Sequence, residues 1–215
     1  MEHIDQNIAT IRDRMKKSGA GPNVNLVAVS KLQPEERVRA ALTAGHRLFG
    51  ENKIQGAKER WLALKKEFPD TRLHFIGHLQ TNKAKDAVSI FDCIETVDSE
   101  KLAVALASEM KKQGRTLSCF IQINTGEEPQ KGGVMPADLP ALLDVCKKSK
   151  LNITGLMCIP PEEEPPALHF SLLKKLAAQH ALKDLSMGMS ADFEKAIPLG
   201  ATYIRVGTAL FGERG

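Results

Sequence analysis

Lys31 closes the apolar run VNLVAVSK that begins at Val24, and it shares alternating strand parity with Val27 and Val29. If those valines face an interior, the ammonium does too. Burial lowers the pKa of a lysine and favours the free amine, the form that attacks an aldehyde to give an imine. The plain alternative is a lysine at a strand end whose head reaches water. Two later segments, SMGMSAD from Ser186 and RVGTALFG from Arg205, carry complementary chemistry. Ser190 is expected where a helix begins, so that its hydroxyl and the first backbone N–H groups meet an anion with the helix dipole behind them. Gly207 and Thr208 would add a backbone N–H open to close approach and a second hydroxyl. Taken singly, these are an N-cap and a strand glycine; taken together, they are two anion-binding loops.

Positioning them requires a scaffold that brings the first and last strands together. After an amphipathic opening helix at about residues 4–17, β-rich apolar runs alternate with helix-periodic stretches. Eight strand candidates are visible: VNLVAVSK, RLFGEN, LHFIGHL, CIETVDS, LSCFIQINT, ITGLMCI, DLSMGMS and YIRVGTALFG. Helix starts are marked by Pro34 with Glu35 and Glu36, by Ser99 with Glu100, by Pro136 with Asp138, and by Ser190 with Asp192. Eight βα units in this length predict an α/β fold, a single (β/α)8 TIM barrel filling residues 1–215 as one domain. An open doubly wound sheet is the alternative, but the first strand runs into Ser30-Lys31-Leu32-Gln33-Pro34, which has no glycine-rich phosphate loop. The proline-rich acidic segment IPPEEEPPALHF from Ile159 is expected to be a mobile loop over the strand C-terminal ends.

In a closed barrel the eighth strand neighbours the first, so Arg205, in parity with Gly207, approaches Lys31. Two cations there call for an acceptor between them. Pyridoxal 5'-phosphate (PLP) has the right groups: a phosphate for the loops after strands seven and eight, an aldehyde for Lys31, and a pyridine nitrogen to accept from Arg205. An arginine keeps its proton, so the ring nitrogen would stay unprotonated and the ring would be a weak electron sink. Asn52, His74, His78, Asn82 and Met157 lie near other strand ends and are candidates to line the same mouth. Each also has an ordinary structural reading as a helix cap or a satisfied core group.

Composition narrows the classes further. The net charge of +4 is carried by pairs such as Lys16-Lys17, Lys65-Lys66, Lys111-Lys112 and Lys147-Lys148 beside helical apolar spacing. These read as solvated helix faces, and with aromatics at 5% the pattern does not suit a nucleic-acid groove. Cys93, Cys119, Cys146 and Cys158 lack CxxC spacing and a partner histidine, which predicts reduced core thiols and no metal. No run has membrane-span length and the N-terminus lacks a signal-peptide core, so a cytoplasmic location without membrane attachment is expected.

The motifs AVSK, GEN, HFIGHLQTNK, GLMCIPP, SMGMSADFEKAI and IRVGTALFG, in this order and over nearly the whole chain, closely resemble the pyridoxal phosphate homeostasis proteins, relatives of the N-terminal barrel of alanine racemase. The resemblance implies a PLP fold-type III-like barrel without a C-terminal β-domain. It further implies a Schiff base on Lys31, phosphate contacts from Ser190, Gly207 and Thr208, and Arg205 opposite the pyridine nitrogen. Asn52, His78 and Met157 are expected as further cofactor contacts. The implied role is a monomeric or weakly associating PLP carrier in vitamin B6 and amino-acid homeostasis without established turnover, with PLP-dependent apo-enzymes as candidate partners. One departure is GENKIQG from Gly50, where the family more often has an aromatic and then QE; Lys53 and Gly56 stand there instead.

A racemase-like enzyme is the competing function. It would need a second acid/base opposite the lysine, which in alanine racemase is a tyrosine from an additional domain. The single tyrosine here, Tyr203, opens strand eight and so falls at the opposite barrel end. A barrel enzyme for another phosphorylated metabolite is a third reading.

Overall fold

The computed structural model describes residues 3–213. Helix α1 (Ile4–Lys17) precedes an alternation of β1 (Asn25–Val29), α2 (Glu35–Thr43), β2 (Leu48–Glu51), α3 (Ile54–Glu67), β3 (Arg72–Phe75), α4 (Ala84–Ile90), β4 (Cys93–Val97) and α5 (Glu100–Gln113). It continues through β5 (Ser118–Ile123), α6 (Leu139–Ser149), β6 (Ile153–Cys158), α7 (Pro166–Gln179), β7 (Asp184–Met189), α8 (Phe193–Ala196), β8 (Tyr203–Val206) and α9 (Thr208–Phe211). The strands run parallel in the order β1 to β8 and close into a barrel. The seam is made by β8 on β1, with Val27 opposite Arg205 and Ala28 opposite Val206. The (β/α)8 barrel expected from the alternation is therefore the observed fold, and each of the eight strand candidates overlaps one of its strands, although β3 starts one residue earlier, at Arg72.

Strand parity divides the buried residues into two sets. Leu26, Ala28, Ile204 and Val206 point outward into one large core shared with the helices. Their alternates point inward. A Cβ placed at Gly50 would lie 3.0 Å from Cγ1 of Val27 and 3.1 Å from Cδ1 of Ile76, so β1, β2 and the residue after β3 pack tightly inside the barrel at a position where glycine spares a close contact. A smaller interior cluster joins Cys93, Phe120 and Met157, with Tyr203 packed against it. Helix α1 buries Ile4, Ile8, Ile11 and Met15, one apolar stripe at helical spacing. Its Arg14 pairs with Glu194 through two hydrogen bonds of 3.0 and 3.1 Å.

Three expectations are corrected. The segment from Ile159 is irregular only as far as residue 165: Pro166 opens α7, and His169 and Phe170 are buried on it. Proline at the first helical position has φ already set for the helix and no N–H to lose, which makes it a start signal here instead of loop punctuation. Ser190 is not the cap of α8. Asp192 is, and its Oδ1 accepts from the Met189 N–H at 2.6 Å, which leaves Ser190 in the preceding turn. Finally, β1 ends at Val29, so Lys31 sits in a turn beyond the strand and not on it.

Candidate functional site

A cavity of about 310 Å³ opens at the C-terminal mouth of the barrel over the β8–β1 seam. Lys31 borders it from the turn after β1, Arg205 from β8, Gly207 and Thr208 from the start of α9, and Ser190 from the turn after β7. Val29, Ile76 and Ile159 supply apolar wall, with Gln33 and Met189 at the edge. This volume is at the lower end of small-molecule sites, and its mix of apolar wall with a few converging polar groups is typical of them. Two cationic side chains, two hydroxyls and an apolar wall suit an anionic ligand with an apolar body. Gly207 is not imposed by the protein's own packing, because an added Cβ would come no closer than 3.5 Å to Val29, an ordinary contact.

Beneath this cavity lies a polar chain across the barrel interior. His74 Nδ1 is 2.6 Å from Glu95 Oε1, and Ser186 Oγ donates to Glu95 Oε2 at 2.6 Å. Arg205 Nη1 donates to the same Ser186 Oγ at 2.6 Å, while its Nη2 donates to the Cys158 carbonyl at 2.8 Å. Glu95 has no exposed surface and lies 3.9 Å from the guanidinium. Burial would raise its pKa, but His74, Arg205 and Ser186 together hold it below the ordinary carboxylate value. The charge of Arg205 is thus balanced by Glu95 from below. The expectation that two cations require an acceptor between them is corrected accordingly: the protein supplies one counter-charge itself. A consequence is that the orientation of Arg205 is fixed from three sides.

The other candidates fall elsewhere. Asn52 and His78 border an adjoining cavity with Lys53, Gln80 and Lys83. His78 Nδ1 lies 3.8 Å from Asp98 Oδ2. Asn82 lines a separate groove between α4 and α5. Met157 is fully buried in the interior cluster with Cys93 and Phe120 and is not among the residues that border the cavity with Lys31. His74, placed at the mouth from its position near a strand end, is instead part of the buried chain to Glu95. Sequence reasoning passed over Glu95 and Ser186. Their signal was a lone carboxylate inside the apolar strand CIETV, in parity with Cys93, which in a barrel must find a partner within. The four cysteines are free and buried; burial pushes Cys146 up to about 11 and Cys158 up to about 12, so neither is a nucleophile at neutral pH. Among the described residues no cluster could hold a metal ion, and no helix is long and apolar enough to cross a membrane.

Fold and cavity define a TIM barrel with a cation-lined ligand site at the C-terminal mouth. The sequence matches the family described as alanine racemase, N-terminal domain, over residues 1–215. It is 41% identical to a pyridoxal phosphate homeostasis protein of Pseudomonas aeruginosa, covering 99% of this chain and 95% of that one. A protein of the same name from Vibrio cholerae is 38% identical, over 100% and 98% of the two chains. Among solved structures, PipY of Synechococcus elongatus with PLP bound superposes with a TM-score of 0.86 at 38% identity, over 98% of this chain and 100% of that one. The chain belongs to the alanine racemase N-terminal-domain family and, within it, to the pyridoxal phosphate homeostasis proteins.

Proposed function

We propose that this chain binds PLP at the barrel mouth as a Schiff base on Lys31 and acts in intracellular PLP and amino-acid homeostasis, without turning over an amino acid. The observation that carries this reading is that one cavity gathers an amine, an arginine and two hydroxyls at the strand ends where this architecture binds phosphates. The PLP bound in the PipY structure supports it. When bound, PLP supplies an aldehyde carbon for amine exchange and an electron-withdrawing ring.

The roles of the chain's own groups follow from their chemistry. Ser190 and Thr208 donate hydroxyl hydrogens to the phosphate, and the Gly207 backbone lets it approach. Arg205, already tied to Ser186 and to the Cys158 carbonyl, keeps its proton and donates to the ring nitrogen, which therefore stays unprotonated. Asn52 and His78 would have to reach the ligand from the separate cavity they border, and Met157, buried in the interior cluster, would act only through packing beneath the site. Transfer to PLP-dependent apo-enzymes, a monomeric state and a cytoplasmic location belong to the same reading.

The test is direct. Protein incubated with PLP should turn yellow, and borohydride should fix the label on the tryptic peptide containing Lys31. Lys31→Ala should remove both colour and label. Colourless wild-type protein would favour a site for another phosphorylated metabolite, and label retained in Lys31→Ala would show the lysine to be misassigned. A chiral assay on loaded protein should find no racemisation at ordinary enzymatic rates; turnover there would favour the racemase reading.

A further inference from the structure

The turn that carries Lys31 is braced from outside the barrel. Beyond β1 the chain reverses over Ser30 to Gln33, closed by the Gln33 N–H donating to the Ser30 carbonyl at 3.2 Å. Leu32 sits in the left-handed region at φ 61°, a conformation disfavoured for a residue with a Cβ. Its side chain is 61% exposed, so packing of the leucine does not enforce that geometry. Something else must.

Arg60, on α3, does. Its Nη1 donates to the Ser30 carbonyl at 2.9 Å and its Nη2 to the Gln33 carbonyl at 2.6 Å, so one planar fork grips the two carbonyls that bracket Lys31 and Leu32. The fork is itself fixed. Glu51, buried at the end of β2, accepts from Arg60 Nη1 at 3.0 Å through the same Oε1 that accepts from Ser30 Oγ at 2.8 Å and from Trp61 Nε1 at 3.2 Å. One carboxylate oxygen thus joins β2, α3 and the residue preceding Lys31. Arg60 does not border the cavity, and it reaches the turn through the Ser30 and Gln33 carbonyls.

We infer that Arg60, oriented by Glu51, is a positioning residue for Lys31: its grip on the Ser30 and Gln33 carbonyls holds the turn in the one conformation that delivers the lysine amine to the cavity. This rests on the reading of Lys31 as the PLP lysine. Loss of the grip lets Leu32 relax toward ordinary φ and moves the amine, while the groups proposed for the phosphate, carried by the segments after β7 and β8 and not touched by Arg60, stay in place. Covalent capture and docking should therefore separate.

Two constants test this on Arg60→Gln and Arg60→Lys. Affinity for pyridoxine 5'-phosphate, which lacks the aldehyde, reports docking; the imine absorbance with PLP, confirmed by borohydride labelling of Lys31, reports capture. Arg60→Gln should lower the imine equilibrium constant about tenfold and leave the pyridoxine 5'-phosphate affinity within about twofold. Arg60→Lys, which keeps the charge beside Glu51 but has no fork, should fall between, and it carries the test alone if the glutamine variant does not fold. An unchanged imine constant in a folded variant overturns the inference, as does an equal loss of both constants, which would mean general loosening. Wild-type protein with no label at Lys31 overturns the proposed function instead.

Discussion

Arg205→Ala should destabilise the barrel strongly at neutral pH and much less in mild acid. In the native protein the guanidinium lies 3.9 Å from Glu95 Oε2, an attraction of about 4 kcal/mol at an effective dielectric near 20. Part of this is offset by the burial of both charges. Removing only the arginine leaves the carboxylate inside without its counter-charge, and breaking a buried pair in this way costs about 3–5 kcal/mol. The pH dependence follows from linkage. In the wild type Glu95 is held below its ordinary value of 4.5, so its contribution is present above that value and lost as pH falls through the lower folded-state value. Without Arg205, burial is opposed only by His74 and Ser186, and the folded-state pKa rises. As pH falls through this raised value the carboxyl takes up a proton, the uncompensated charge disappears, and the variant recovers relative to wild type. Urea unfolding followed by fluorescence of the only tryptophan, Trp61, at about pH 7.5 and about pH 5.5 would show a deficit of about 3–5 kcal/mol that narrows in acid. A neutral-pH deficit under about 1 kcal/mol, or one that does not narrow, would refute the reasoning.

Two further substitutions test how the mouth is held. Gly188 has φ 92°, and an added Cβ would lie 2.7 Å from the Ala196 Cβ and 2.9 Å from the Phe193 Cα. Gly188→Ala should therefore push α8 and the adjoining Ser190 turn outward, lowering stability by about 1–3 kcal/mol in urea titrations and weakening PLP binding measured by absorbance. Gly56 lies exposed inside α3 with open space around its Cα, so Gly56→Ala should stabilise the protein by about 0.5–1 kcal/mol with PLP affinity unchanged; destabilisation would show that the position serves a contact that glycine alone permits.

The barrel was legible because its evidence is repetitive. Eight apolar runs separated by helical stretches point to the same architecture, and a misjudged boundary such as that at Pro166 does not alter the count. The cavity was partly legible for the same reason: once β8 neighbours β1, parity places Arg205 inside the barrel beside Val27, and the turn after Val29 brings Lys31 to the same cavity. What parity could not convey is depth. Met157, Tyr203 and Arg205 all point inward, yet the first two lie in an apolar cluster and only Arg205 borders the cavity. Nor could local sequence reveal partners far along the chain. Ser186 lies 91 residues from Glu95, and Arg60 lies 30 residues from the Ser30 carbonyl it grips; each reads by itself as an ordinary polar residue.

The position of Tyr203 bears on the choice between carrier and racemase. It is the only tyrosine in the chain, and its ring lies 5.4 Å from that of His74 and 5.5 Å from that of Phe120, at the start of β8. Burial, reinforced by the negative charges nearby, pushes its phenol up to about 12. An acid/base group must sit within hydrogen-bond reach of the proton it moves and have a pKa near the working pH. Tyr203 meets neither condition for a ligand bound at the opposite end of its strand. Arg205, locked by Ser186 and the Cys158 carbonyl with its charge balanced by Glu95, remains a hydrogen-bond donor and has no proton to give to a ring nitrogen. These arrangements act on different steps, one on moving a substrate proton and the other on withdrawing electrons into the ring. On the proposed reading of the site, both would disfavour carbanion chemistry on a bound PLP.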